Sequence, residues 1–247
     1  MFSGKITAQN RAGGFIGYVL PYSHVTINQC ENMAEIISTG HCAGIVGQTH
    51  DATVEMVNSL NSGNIKLLVS EYTYVSAGGI LGAVGYNSNA EKGNIEIFNC
   101  YNTGNIDNAS SNVYCATGGI LGSATSFGEN VIIANCYNIG KTTAKYSNFS
   151  GGILGGFWYN QYETDIKNSY YDETASNRSV GGTNTEYAQN LSQSQIKGQE
   201  TIQDENGNSK TLIELLNGYI ENNLDGLDTT KWMKWTQNEN GYPILDI

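Results

Sequence analysis

A short glycine-rich phrase recurs five times along the chain: Ala12-Gly13-Gly14-Phe15-Ile16-Gly17, Ala43-Gly44-Ile45-Val46-Gly47, Ala77-Gly78-Gly79-Ile80-Leu81-Gly82, Thr117-Gly118-Gly119-Ile120-Leu121-Gly122 and Ser150-Gly151-Gly152-Ile153-Leu154-Gly155. The glycine ahead of the apolar pair stands at positions 14, 44, 79, 119 and 152, so successive spacings are 30, 35, 40 and 33 residues. A fixed unit with loops of variable length accounts for that spread. Repeats of this size cannot bury an apolar face singly, and stacked copies can.

A second phrase follows each glycine element: Gln29-Cys30-Glu31-Asn32, Asn58-Ser59-Leu60-Asn61, Asn99-Cys100-Tyr101-Asn102, Asn135-Cys136-Tyr137-Asn138 and Asn168-Ser169-Tyr170-Tyr171. Two and four residues before each stand Ile27/Val25, Met56/Val54, Ile97/Ile95, Ile133/Val131 and Ile166/Thr164, while the positions between them vary freely. That alternation describes a strand with one buried face. The expected fold is all-β: a right-handed parallel β-helix, or solenoid, of about five coils over residues 1–172, with a small mixed α/β C-terminal cap over 173–247. Equivalent residues of neighbouring coils then lie about 4.8 Å apart. Asn58, Asn99, Asn135 and Asn168 are expected to form an amide ladder at a corner, with Tyr101, Tyr137 and Tyr170 stacked beside it. The paired glycines mark a bend that needs either a positive φ or close approach to the next coil.

Composition agrees with many tight turns. The 247 residues include 30 Gly and 16 Tyr, only two Pro and only 14% charged residues. The formal net charge is −11, which leaves no basic surface for a phosphate backbone and disfavours nucleic acid and anionic membrane as partners. No run of about 18 apolar residues is present, so no membrane insertion is expected. Met1-Phe2-Ser3-Gly4 enters patterned sequence directly, and the chain reads as a fragment of a longer precursor.

The repeated Gly-Gly-Ile-Leu-Gly followed by Asn-Cys-Tyr-Asn-Thr-Gly resembles the GLUG-motif repeat of large bacterial surface proteins, also found beside the peptidase domain of some bacterial immunoglobulin A peptidases. The resemblance covers roughly residues 12–172 and departs from the pattern at Gln29, Glu31, Ser59 and Leu60. It implies a secreted or cell-surface module for adhesion or display, with no catalytic residues. It also implies the alternative of an accessory, substrate-placing domain of a secreted peptidase or glycan-active enzyme.

The tail carries its own signals. Leu191 to Lys197 reads as a short helix and Thr211 to Asn222 as a longer one, with Thr211 or Ser209 as N-cap. Asn206-Gly207 is a hairpin turn, and Tyr242-Pro243-Ile244-Leu245 a final strand. Asp204 to Ser209 resembles half a calcium loop, but Ser209 and Leu215 stand where glycine and a bidentate glutamate are required.

Chemistry-bearing constellations are sparse. Cys30, Cys42, Cys100, Cys115 and Cys136 form no CxxC pair, and His24, His41 and His50 no His-Glu-x-x-His, so neither a metal nor a cofactor is expected. His50-Asp51 reads as a solvated turn. A polysaccharide lyase needs clustered carboxylates or a carboxylate with a basic partner, whereas Asp107, Asp165 and Asp172 occupy different registers, and Arg11 and Arg178 lie far apart. The sequons at Asn108, Asn148, Asn177 and Asn190 are what chance gives in an Asn/Ser-rich chain. What remains is aromatic: Trp158, Tyr159 and Tyr162 form a loop patch whose flat rings suit a glycan or a host surface protein. A competing reading has the same aromatics cover the junction between the last coil and the cap. The chain is expected to be monomeric.

Overall fold

A computed structural model of the chain describes residues 3–68, 74–85, 93–109, 114–125, 130–158, 164–183, 185–222 and 225–247. It is nearly all-β: a parallel β-solenoid with two short helices in its tail. Each repeat contributes one rung to five stacked sheets, here called A to E. Sheet A stacks Lys5–Ala8, Glu35–Ser38, Ile65–Leu67, Ile106–Asn108 and Thr142–Thr143. Sheet B stacks Arg11–Gly13, His41–Ala43, Val75–Gly78, Cys115–Gly118 and Ser150–Gly151. Sheet C stacks Ile16–Val19, Val46–His50, Leu81–Gly85, Leu121–Thr125 and Phe157–Trp158. Sheet D stacks His24–Asn28, Thr53–Val57, Asn94–Phe98, Asn130–Ala134 and Thr164–Lys167. Sheet E stacks Glu31–Asn32, Leu60–Asn61, Tyr101–Asn102, Tyr137–Asn138, Tyr170–Asp172 and Gln189–Leu191.

Sheet D shows how the alternation becomes a core. Val25, Val54, Ile95, Val131 and Thr164 lie in one row and Ile27, Met56, Ile97, Ile133 and Ile166 in another. The three middle rungs bury both rows completely, against Ile45, Ile80, Ile120 and Ile153 from the B–C bend. Removing that apolar surface from water drives the stacking.

The bend between sheets B and C explains the glycines. A Cβ on Gly79 would stand 2.1 Å from the Gly119 carbonyl oxygen and 2.6 Å from Cγ of Asn102. One on Gly82 would stand 2.2 Å from the Gly47 oxygen and 2.7 Å from that of Cys42. None of the described repeat glycines has a positive φ. Of the two reasons open at the sequence, close backbone approach is the operative one.

At the D–E corner the opposite holds. Gln29, Asn58, Asn99, Asn135 and Asn168 have φ of 55°, 51°, 53°, 57° and 40°. Asparagine tolerates this left-handed region better than other non-glycine residues, which places it at every turn but the first.

The tail covers an end and a flank. Residues 173–191, grouped with the tail by their composition, follow the coil path for one more rung. Ala175 O accepts from Thr142 N at 3.0 Å, Ser179 O from Ile153 N at 2.9 Å, and Val180 bridges Leu154. From Ser192 onward the chain turns and runs back along the outer faces of sheets D and E. It forms helix α1 (Gln193–Ile196), a hairpin of Ile202–Gln203 with Ser209–Lys210, helix α2 (Leu212–Asn222) and a hairpin of Trp235–Gln237 with Pro243–Leu245. Thr211 caps α2: its Oγ1 accepts from Glu214 N, and Glu214 Oε2 accepts from Thr211 N at 2.7 Å. Leu212, Leu216 and Tyr219 face inward from α2, and the outward row Leu60, Tyr101, Tyr137 and Tyr170 is buried beneath the tail.

Candidate functional site

The D–E corner is built from its asparagines. Asn58, Asn99, Asn135 and Asn168 each donate from Nδ2 to Oδ1 of the residue one rung nearer the N-terminus, at 2.9, 2.8, 2.7 and 2.6 Å, and the row ends on Asn28. A second row, which sequence reading passed over, lies inside sheet E: Asn32, Asn61 and Asn102 donate to Asn61, Asn102 and Asn138, each at 2.7 Å. It runs with the opposite polarity. Its signal was present as the Asn recurring three residues after the first four corners, but only the stacked geometry separates a ladder from a polar repeat. Between the rows, Cys30, Ser59, Cys100 and Cys136 donate backbone N–H to the Sγ or Oγ of the next rung. Serine and cysteine interchange there because Ser59, Cys100, Cys136 and Ser169 each supply one small buried acceptor.

The tail reads the outer amide row. Asn58 Oδ1 accepts from Met233 N and Asn99 Oδ1 from Trp235 Nε1, while Lys231 O and Met233 O accept from the two amides. Trp235 lies 5.6 and 5.5 Å from the rings of Tyr101 and Tyr137, themselves stacked at 5.2 Å with planes 4° apart. Burial raises the Tyr137 hydroxyl well above its ordinary range, and that hydroxyl donates to Pro243 O at 2.5 Å. These amides and phenols are committed to holding the molecule together.

The aromatic patch is placed in part. Trp158 extends sheet C through its backbone, with Phe157 and Trp158 beside Ala124 and Thr125. Phe157 packs half-buried on the main core. The Trp158 side chain, Tyr159 and Tyr162 lie outside the described residues.

His50 and Asp51 depart from the solvated turn read at the sequence. Asp51 is buried, has φ of +44° and meets His50 Nδ1 at 2.9 Å. Gly85 of the third rung pairs beside His50, and its carbonyl accepts from Asp51 N at 3.5 Å, a neighbour that local polarity could not reveal. Arg11 Nε donates to Gln48 Oε1, and its guanidinium lies 4.1 Å over the Tyr18 ring. Arg178 sits in the closing rung, giving Nη1 to Thr183 O at 3.4 Å. Asp107, Asp165 and Asp172 lie in sheets A, D and E respectively. The Asp172 Oδ1 accepts from Thr174 N and Oγ1, each at 2.7 Å. Among the described residues no three of His, Cys, Asp and Glu converge as metal ligands, and no helix is long and apolar enough to cross a membrane.

A groove of about 610 Å³ lies between the fifth and sixth rungs of sheet E, the 202–210 hairpin and α2. Asn168, Tyr170, Gln189, Asp204, Lys210 and Asp225 are among its lining residues, a set of amides, carboxylates and phenols able to hydrogen-bond a polyol. The carboxyl of Asp204 is held below its ordinary range chiefly by the N–H of Asn208, which together with Asn206 N closes the turn. Sequence reading missed this groove because its walls come from segments far apart in the chain. Comparison with protein-family models, with curated proteins and with solved structures found no match.

Proposed function

We propose that the chain is a non-catalytic, extracellular display and adhesion module of the GLUG-repeat type, a stiff spacer that presents variable loops to a host glycan or surface protein. The observation that carries this reading is where the repeats differ in length. The B–C bends (14–15, 44–45, 79–80, 119–120) and D–E corners (29–30, 58–59, 99–100, 135–136) are constant, whereas the A–B and C–D connections range from 9–10 and 51–52 to 68–74 and 86–93. Variation is thus confined to two edges of a frame whose polar side chains hold one rung to the next. Fixed frames with variable edge loops suit recognition, because loop changes leave the core untouched.

A glycan and host-protein binding screen tests this, run on the chain and on a variant whose 68–74 and 86–93 connections are replaced by the short ones of the second rung. Binding that the variant loses, with an unchanged β-type far-ultraviolet spectrum, supports the reading. Turnover of an anionic polysaccharide abolished by a single carboxylate substitution would overturn it.

A further inference from the structure

The solenoid carries two rows of tyrosine, and the tail covers one of them. Tyr101, Tyr137 and Tyr170 lie buried among Leu191, Leu216 and Trp235. The second row stands on the A–B edge. Tyr74 and Tyr114 immediately precede the paired residues Val75 and Cys115, and their rings lie 5.1 Å apart. Phe149 of the fifth rung meets the Tyr114 ring edge-on at 6.3 Å, and its N–H donates to Tyr146 O at 2.9 Å. Tyr74, Tyr114 and Tyr146 are 46%, 43% and 44% exposed. After Met33, they and the final Ile247 are the only exposed large apolar side chains among the described residues. Single exposed apolar residues are ordinary, whereas a contiguous row marks a surface that meets a partner. The register puts Gln9 and Thr39 at the same place in the first two rungs, so the row is confined to the rungs with long A–B connections.

Beside Phe149 the row reaches a polar cavity of about 220 Å³, lined by Lys141, Thr143, Ser150, Thr174, Ser176 and Asn177 among others. Lys141 and Asn177 are exposed, and their side chains make no hydrogen bond or ion pair among the described residues. We propose that the A–B edge of rungs three to five binds an uncharged glycan chain laid along the solenoid axis. The apolar faces of its sugar rings lie on Tyr74, Tyr114 and Tyr146, and its hydroxyls enter the cavity at Lys141 and Asn177. This rests on the edge connections being a recognition surface, and adds the ligand class and the residues that hold it. A tyrosine ring joins a flat apolar face to a phenol that both donates and accepts, which matches the C–H face and hydroxyl rim of a pyranose. Rungs about 4.8 Å apart set the direction of the row along the axis. A protein partner would have to dehydrate the phenols as the tail does, with apolar neighbours like Leu191 and Trp235; here the neighbours are hydroxyls, an amide and lysines. Lys66, Lys141 and Lys145 outnumber Asp107 on this edge among the described residues, which disfavours a cationic ligand, and the net charge of −11 opposes a polyanion.

The test is calorimetric titration of the full chain with hexasaccharides of glucose, mannose and N-acetylglucosamine, with oligogalacturonate as the acidic arm and a polyglutamate peptide as the non-sugar arm. At least one neutral hexasaccharide is expected to bind. The double variant Y74S/Y114S is expected to weaken that binding by roughly tenfold or more. K141A/N177A, which alters only exposed side chains, is expected to weaken it in the same direction with the parental melting temperature, and it decides the matter if the serine pair lowers the melt. Replacing the 86–93 connection alone is expected to leave the affinity unchanged. The proposal is overturned if no neutral hexasaccharide binds, if binding survives both double variants, or if binding is confined to oligogalacturonate and polyglutamate. Should a glycan or host protein bind and be lost on replacing 86–93 but kept in both double variants, the display reading stands and this strip is not its site.

Discussion

Asn99 concentrates several demands in one side chain. It holds φ at +53°, gives Nδ2 to Asn58 Oδ1 and Met233 O, and takes Asn135 Nδ2 and Trp235 Nε1 on Oδ1. Substitution by alanine removes the bonds and places a Cβ in strained backbone; substitution by glycine removes the bonds alone. We expect Asn99→Ala to cost about 3–4 kcal/mol and Asn99→Gly about 1 kcal/mol less in urea denaturation. Equal losses would show that the corner backbone carries no strain. His41 supplies a pH signature. Burial, aided by Arg11, holds its imidazole down at about 4 against 6.5 for a free histidine, and its Nδ1 has no hydrogen-bond partner among the described residues. Between those values the unfolded chain binds the proton and the folded one does not, so stability is full above pH 6.5 and falls as pH drops toward 4. The loss is on the order of 2–3 kcal/mol. A His41→Gln variant should show a correspondingly flatter profile between pH 7 and 4.5, and an unaltered slope would show that His41 is not the titrating group.

The elements follow from period-2 alternation plus stacking. Because Ile97 lies between Met56 and Ile133 and is fully buried, Ile97→Asn places an amide where no partner waits; we expect about 2–4 kcal/mol of destabilisation. Val25 occupies the neighbouring inward row but in the first rung and is only half-buried, so Val25→Asn should cost less than about 1 kcal/mol. Parallel melts of the two variants check the assigned register, and equal losses would contradict it. Strand positions in sheets D and E were legible because their alternation and turn residues recur in sequence. Sheet A was not, since Ile65–Leu67 and Ile106–Asn108 are too short for a period to declare itself. Helix α2 was legible from its apolar spacing and the Thr211 cap, both local signals.

At the scale of the molecule, the tail binds rungs together by lying across them. Its contacts run from Leu191 beside Asp172 back to Met233, whose sulfur takes Gln29 Nε2. A chain ending at Leu191 should keep a β-type far-ultraviolet spectrum, melt at lower temperature and bind a hydrophobic dye, because Leu60, Tyr101 and Tyr137 lose their cover. Retention of the parental melt would show that the tail is dispensable. The sequence by itself determined the repeat, the inward rows, the corner asparagines and the local tail elements, because each is a pattern within one unit or between units at fixed spacing. Only the tertiary structure decided that the repeat glycines serve close approach, that Asp51 is buried, that a second amide row runs opposite to the first, and that the tail folds back along a flank. Each of those depends on which backbone passes a few ångströms away in space, and that neighbour is a different rung, tens of residues distant along the chain, or the tail.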